Sequence, residues 1–399
     1  MKRVSSGLPR IIAAVAAAAI ASSCIPAQPR AVSVPDRGAL ILRLGLDTLF
    51  VERFELSRNR LYVESAVRTP AALFRTIDAT LNDDGSFASI AVATFDPANP
   101  RGREARDSAT VTFSPDSTVY AFGIGERKQV LRLAGRGDLV ISVPGNYWFP
   151  NHVLLAARAP RTAGDSLLGT TTSRLGANPL VVKRVAPDTV TIWTQLAGLM
   201  RVMLGPDGRA VGLDGTGSSL GYVASRVDWI DIDSVSRAFA ARERATGTVG
   251  ALSARDTVRA EIDGARLIVD YGRPAKRGRT IFGGVVPWDR VWRTGANLAT
   301  HFSTSRPLQF GEEKLPAGEY TLHSIPAPGS WTLLVSSRIG QWGTSALDPT
   351  TIVARIPMAA GSSREIVETF TITLEPRAGG GAIRLAWDTT FAEASFVVR

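Results

Sequence analysis

Residues 82–94 read Asn82, Asp83, Asp84, Gly85, then Ser86, Phe87, Ala88, Ser89, Ile90, Ala91, Val92, Ala93 and Thr94. The first four are turn chemistry: Asn and Asp side chains bond back to nearby backbone, and Gly takes a positive φ without steric cost. The nine that follow carry β-branched and aromatic residues suited to a half-buried pleated surface. The same unit recurs outward in both directions. Ser114–Ser117, Ala186–Thr189 and Gly205–Gly208 combine Asp with Pro or Gly, and the runs Leu61–Val67, Thr118–Gly123 and Thr189–Thr194 alternate apolar with polar residues. Short alternating runs punctuated this regularly predict hairpins, and hairpins in series predict an antiparallel meander from Leu40 to about Leu220.

Two places break the rhythm. His152–Arg158 reads as a short helix after Pro150, and Asp233–Arg244 reads as a helix with Asp231 or Asp233 capping its exposed amides. Apolar periodicity is then lost from Glu243 to Gly250, which places a boundary between an antiparallel β-sheet domain over 31–245 and a second domain over 252–399. The second domain is also β-rich. Arg255–Ile262, Ala265–Tyr271, Ala299–Ser305, Glu319–Ile325, Trp331–Ser336, Ile366–Leu374, Ala382–Trp387 and Ala394–Val398 are short and bounded by Pro or Gly turns, the pattern of a β-sandwich or jelly roll. The expected fold class is all-β and mainly antiparallel.

The N-terminus predicts export. Lys2, Arg3 and Arg10 precede an apolar run from Ile11 to Ala21, and small residues lead into Cys24, so residues 1–23 read as a signal peptide. As a helix that run would span about 16 Å, roughly half of a hydrocarbon core. Ala21, Ser22, Ser23 and Cys24 resemble a bacterial lipoprotein box, in which Cys24 is lipidated and becomes the mature N-terminus; Ala21 stands where leucine is usual. The alternative is ordinary cleavage after Ala19, Ile20 and Ala21. An unpaired cysteine is an odd leftover in an exported protein, which favours lipidation and hence a membrane partner held through acyl chains at Cys24. Ile25 after the cysteine, rather than Asp, resembles sorting to the outer membrane. The expected location is therefore the outer membrane or periplasm.

Composition is consistent with that reading. Cys24 is the only cysteine, so the fold rests on buried apolar area and not on disulfides. The formal net charge is +10, but three of those charges lie in the leader and the others are scattered singly along strands. Nucleic-acid binding, which uses clustered basic residues, is not expected.

Chemistry-bearing motifs are sparse. The three histidines are His152, His301 and His323. His301 shares a strand face with Ala299 and Ser303, and His323 shares one with Thr321 and Ile325; if the two strands are neighbours, the imidazoles with Glu319, or with Glu312 or Glu313, form a candidate metal site. The competing reading is two locally bonded histidines on separate sheet positions. Gly217, Ser218, Ser219, Leu220 and Gly221 match the spacing of a serine-hydrolase elbow, but that turn requires a following helix, and Tyr222–Val227 reads as a strand. Neither a Walker cradle nor a Rossmann glycine fingerprint occurs, and no cofactor is expected. Asp228, Asp231 and Asp233 lack the glycine and distal glutamate of a calcium loop.

The densest cluster of aromatics, arginines and glycines runs from Tyr271 to Asn297: Tyr271, Gly272, Arg273, Pro274; Arg279, Thr280, Ile281, Phe282, Gly283, Gly284; Val286, Pro287, Trp288; Val291, Trp292, Arg293, Thr294, Gly295, Ala296, Asn297. With Leu315–Gly318, His323–Pro326 and Gln341–Gly343 it closely resembles the bacterial domain family of unknown function numbered 2911, over the last third of the chain. The resemblance names a relative without a reaction. In this stretch Trp288, Trp292, Arg293 and Asn297 are candidates for a ligand pocket in which an arginine fork grips an anion between indole walls. The alternative is that Arg293 stacks on a tryptophan and pins a long loop. The expectation is an exported, lipid-anchored cell-envelope protein that binds a small molecule or envelope polymer, or serves structurally. A periplasmic carrier of a lipophilic ligand, with a helix in the hollow of its curved sheet, is the first alternative. A metal-assisted or serine hydrolase is the second.

Overall fold

The computed structural model describes residues 35–399 except 125–126, 136–138, 141–152, 157–158, 160–161, 163, 174–175, 195–197, 219–220, 342 and 344–346. The expected leader with Cys24, together with His152 and Ser219, lies outside the described residues. The described chain is all-β, built as two antiparallel sheets.

The first sheet has fifteen strands. One wing runs outward through β1 (Asp36–Leu44), β2 (Asp47–Leu56), β3 (Arg60–Val67), β4 (Leu73–Leu81), β5 (Phe87–Phe95), β6 (Asp107–Phe113), β7 (Ser117–Ile124) and β8 (Arg127–Ala134). The other returns through β9 (Leu139–Val140), β10 (Ser166–Ser173), β11 (Gly176–Ala186), β12 (Thr189–Thr194), β13 (Gly198–Leu204), β14 (Ala210–Asp214) and β15 (Val223–Val227), and β15 pairs with β1. Each expected turn joins consecutive strands. Between β4 and β5, Asn82 donates its backbone N–H to Ser86 O at 2.8 Å, and Asp84 accepts from the Ser86 N–H at 2.8 Å, so local side-chain bonding closes the hairpin.

Closure between the wings is not a hairpin, so side chains reinforce the seam. Arg226 grips Asp36 through both Nη atoms, at 2.6 and 3.3 Å, and its guanidinium lies 5.3 Å from the Phe54 ring centroid. Strand alternation sends one side-chain row after another to a common core. One row is Phe54, Val63, Ile77, Val92 and Ala109, partners in register across β2 to β6. Each such aliphatic or aromatic side chain contributes about 1.5–3 kcal/mol when fully buried. Residues 153–156 form a helical turn whose four side chains join that core.

The longer helix, Ile232–Thr246, lies on the opposite face of the sheet. Asp231 caps it by accepting from Ser234 N–H at 3.1 Å, and Ile232, Ser236 and Ala240 form its buried stripe. Its apolar side meets Val51, Ala66 and Phe74, which face away from the main core. Arg101 bonds both Glu64 on β3 and Asp233 on the helix, fastening the two.

The second sheet has nine strands in the order β16 (Ser253–Ile262), β17 (Ala265–Pro274), β18 (Thr300–Thr304), β21 (Gly318–Ala327), β22 (Ser330–Ser336), β23 (Ile352–Arg377), β24 (Gly380–Val398), β19 (Leu308–Phe310) and β20 (Glu313–Leu315). The long β23 changes partner along its length, pairing first with β22 and then, through two register shifts, with β24. Those shifts bend it, and the sheet folds over its own core. Ile372 N–H on the far half of β23 donates to the Tyr271 hydroxyl of β17 across that core at 3.0 Å. The regions expected as separate strands at Ala382–Trp387 and Ala394–Val398 are parts of one strand.

The sheets meet where the β1–β2 turn reaches the 275–279 loop. Leu46 N–H donates to Arg277 O at 3.0 Å, and Asp47 is shared between Arg277 and Arg68. Burial alone would raise the Asp47 carboxyl, but the hydrogen bonds and charges of Arg277 and Arg68 outweigh it and hold the carboxyl below its ordinary value.

Candidate functional site

The second sheet has a core face and an outer face, and one short segment decides what each receives. Trp292 exchanges both backbone hydrogen bonds with Ser324 of β21, at 2.7 and 2.8 Å, so residues 291–293 continue the sheet beyond β18. Paired residues share a face and successive residues alternate. Trp292 therefore enters the core, where its ring lies 4.9 Å from Phe370 and 6.1 Å from Trp387 and its Nε1 donates to Gly295 O. Arg293 projects to the other side.

The glycines of the signature permit this crossing. A Cβ on Gly272 would stand 2.3 Å from Ala296 O, so only glycine lets the 294–297 loop pass that close to β17. Gly283, at φ 83°, lets Trp288 stack on Phe282 with ring centroids 5.6 Å apart. Trp288 is half-buried in that stack. Thr294 holds a left-handed φ of 53°, costly for a β-branched residue, and is kept there by its hydroxyl on Ser324 Oγ and its carbonyl on Thr300 Oγ1. Asn297, also left-handed at φ 62°, is exposed; its carbonyl accepts from Arg293 Nη1 and from Gly343 N–H, each at 3.2 Å.

On the outer face the register gathers several polar residues. His301 of β18 lies opposite both Asp270 of β17 and Thr321 of β21, and Ser303 lies opposite Glu319. Because 319, 321 and 323 alternate to one side, His301, Glu319, Thr321 and His323 share this face. The loop after β22 covers part of it: Gln341 O accepts from Ala299 N–H at 2.9 Å, and Gly340 N–H donates to His301 Nε2 at 3.1 Å, which places the ring proton on Nδ1. Beside the cover opens a cleft of about 240 Å³ lined by Ile268, Asp270, His301, Glu319, Tyr320 and Ile339. Asp270 is already engaged by Arg255 and by Thr257 Oγ1.

Under the cover, Thr321 and His323 are fully buried and Gln341 nearly so. The Thr321 hydroxyl and both amide atoms of Gln341 have no hydrogen-bond partner, and the His323 ring finds the Gly343 backbone. Buried polar atoms are normally paired, so the unpartnered ones require an explanation. Burial is the main reason the His323 pKa falls below the usual imidazole range; the nearby Arg293 charge acts in the same direction and the Gly343 backbone opposes both. Gly343 also lies against Arg293, with a Cβ position 3.7 Å from Nη1. Arg293 is itself desolvated enough to lower its pKa, and among the described residues its side chain bonds only the Asn297 carbonyl, with no carboxylate paired to it.

His301, His323 and Glu319 share a face without forming a ligand set. Glu319 and His323 are four residues apart on one strand, about 13 Å at 3.3 Å per residue, far beyond the reach of a single ion. Among the described residues no group of three His, Cys, Asp or Glu side chains gathers to hold a metal. Ser219 lies outside the described residues, and its flanks run from β14 to β15, with Ser218 Oγ donating to Gly215 O at 2.6 Å. Sequence reasoning did not single out Thr321 or Gln341 for the site. The alternation Thr321–His323 was visible, and Gln341 stands in the signature itself.

No helix among the described residues is long and apolar enough to cross a membrane. No curated protein matches the chain. Residues 253–396, which contain the whole of this face, match the family described as Protein of unknown function (DUF2911), and the region before them matches no family.

Proposed function

We propose that the protein is an exported, lipid-anchored binding module of the cell envelope, with the covered outer face of its second sheet as the ligand site. The observation that carries the site is a desolvated guanidinium lacking a carboxylate on the same sheet as buried, unpartnered atoms of Thr321 and Gln341. Such a group is costly for folding alone and gains its partners when a ligand enters. A binding role is favoured over catalysis because the hydroxyl that stands opposite His301 on this face, that of Thr321, is fully buried. His301 Nε2 is occupied by Gly340, and His323 is sealed from the cleft's acids.

Two measurements test this reading. Native mass spectrometry of the full chain purified from its host's envelope is expected to show a bound small molecule, lost in Arg293→Ala. A wild-type spectrum identical to the variant's would sink the binding role. Intact mass should begin at Cys24 with added acyl chains; Met1 retained in cytosolic fractions would remove export and anchoring together.

A further inference from the structure

We propose that the cleft beside the cover loop binds a small organic monocation, an ammonium group on a short aliphatic chain, with Glu319 taking the ammonium and Ile268 and Ile339 the chain. Neither Arg293 nor Thr321, His323 or Gln341 lines this cleft, so the inference stands apart from the role given to those residues.

Register builds the floor of the cleft. Ile268 and Asp270 of β17, His301 and Ser303 of β18 and Glu319 of β21 alternate to the outer face, with Asp270 opposite His301 and Ser303 opposite both Ile268 and Glu319. Ile339, from the loop after β22, adds a wall, while the rings of Phe302 and Tyr320 belong to the core. Charge then selects the ligand. Asp270 is matched by Arg255, and His301, whose Nε2 lone pair accepts the Gly340 N–H, is held as the neutral ring. Glu319 is exposed and, among the described residues, makes no ion pair. The cations nearest in the chain or in register leave it so: the charge of Arg338 acts on Asp348, and Arg259, opposite Ile268 on β16, stands three strands from Glu319, about 14 Å and beyond a Debye length. A monocation cancels the charge that remains, and the Ser303 hydroxyl facing Glu319 accepts a second ammonium N–H. Ile268 and Ile339 are 37% and 52% exposed, so an aliphatic chain lying between them is shielded from water as they are. The cleft's 240 Å³ has room for about eight groups of water size at ~30 Å³ each, which fits a six-carbon amine. An exposed ion pair alone contributes little, whereas each buried methylene multiplies affinity about fourfold, so charge and chain are both required.

His301 lines the cleft and reports on it. The full chain, labelled at histidine with 15N, is titrated at neutral pH and constant ionic strength with hexylammonium, methylammonium, hexanoate and zinc chloride, and the His301 resonance is assigned by its loss in His301→Gln. Hexylammonium is expected to shift that resonance saturably, with a Kd of about 1 mM or below, and methylammonium and hexanoate to bind at least about tenfold more weakly. Glu319→Gln should weaken hexylammonium by about fivefold, the upper range for an exposed pair, and Ile339→Ser by about tenfold. Glu365→Gln, which removes an exposed carboxylate of β23 outside the cleft, should change nothing. All three positions are exposed, and an unchanged urea midpoint reports that each variant is folded. Hexanoate binding as tightly as hexylammonium, an affinity indifferent to Glu319→Gln, or a His301 resonance that hexylammonium leaves unmoved overturns the proposal. A resonance moved by zinc and not by hexylammonium makes the cation a metal and overturns it likewise. The ligand read through Arg293 is tested separately by native mass spectrometry, so either reading can fail alone.

Discussion

Each sheet buries a set of polar side chains, and the two sets are built to opposite plans. In the first sheet, Glu52, Ser65, Arg75, Thr94 and Asp107 are successive register partners across β2 to β6, forming one continuous row between apolar rows. Ser65 donates to Glu52 at 3.1 Å, Arg75 Nε reaches Thr94 at 3.4 Å, and the carboxylates of Asp107 and Glu52 partly offset the burial that lowers the Arg75 pKa. Under the loop of the second sheet, the side-chain polar atoms of Thr321 and Gln341 have no hydrogen-bond partner. A buried polar set that satisfies itself acts on register and uniqueness, because a one-residue slip would carry every charge to the wrong face. A set that does not satisfy itself retains binding capacity for something else.

The largest expected effect separates the anchor from the site. Trp292→Ala removes a ring enclosed by Phe282, Trp331, Phe370 and Trp387 and should cost about 4 kcal/mol in urea unfolding, while Arg293→Ala, one residue away but on the other face, should cost less than about 1 kcal/mol. Equal losses would mean that Arg293 serves the fold as Trp292 does. Next in size is Arg75→Met. It leaves Glu52 and Asp107 without the cation that faces them, and about 3 kcal/mol of stability should be lost. A neutral outcome would break the contrast drawn above, since the row would then be dispensable.

How far this was legible in the sequence follows from the same alternation. Thr189–Thr194 is a strand with those bounds, Leu61–Val67 lies within β3, and the helix begins where the Asp231 cap places it, because these features depend only on neighbouring residues. The polar row was not legible. Glu52, Ser65, Arg75, Thr94 and Asp107 look like ordinary outward residues one strand at a time, and only register shows that they align on the buried face. Ile352–Ala360 was missed as strand because Pro357 and Gly361 argue against one. Pro357 sits opposite Thr332 in β23, where the missing N–H is tolerated. At the site, the sequence offers Trp292 as an indole wall and Arg293 as the grip of one pocket, beside the alternative that Arg293 stacks on a tryptophan, whereas the Ser324 bridge sends the two to opposite faces.

A smaller effect belongs to the contact between the sheets. Asp47, depressed by Arg277 and Arg68, stabilises the folded form above the ordinary carboxylate range, and that contribution is lost as pH falls through its lowered folded value. Asp47→Asn should cost about 1 kcal/mol at neutral pH and lose less on acidification than the wild type, the modest size reflecting partial exposure of all three groups.

The smallest effect has the opposite sign and bears most directly on the comparison. His323→Leu replaces a fully buried imidazole, whose desolvation outweighs its contact with the Gly343 backbone, with an apolar group in the same enclosed space, and the ligand-free protein should gain about 1 kcal/mol. It should also lose a pH dependence. With the folded pKa of His323 below the unfolded one, the unfolded chain binds more protons as pH drops through about 6.5, so wild-type stability declines there and continues to decline towards the folded value. Urea midpoints of wild type and variant should diverge on acidification through that window, the variant remaining flatter. A stability loss in His323→Leu would show that the imidazole is structural, and the second polar set would then belong with the first.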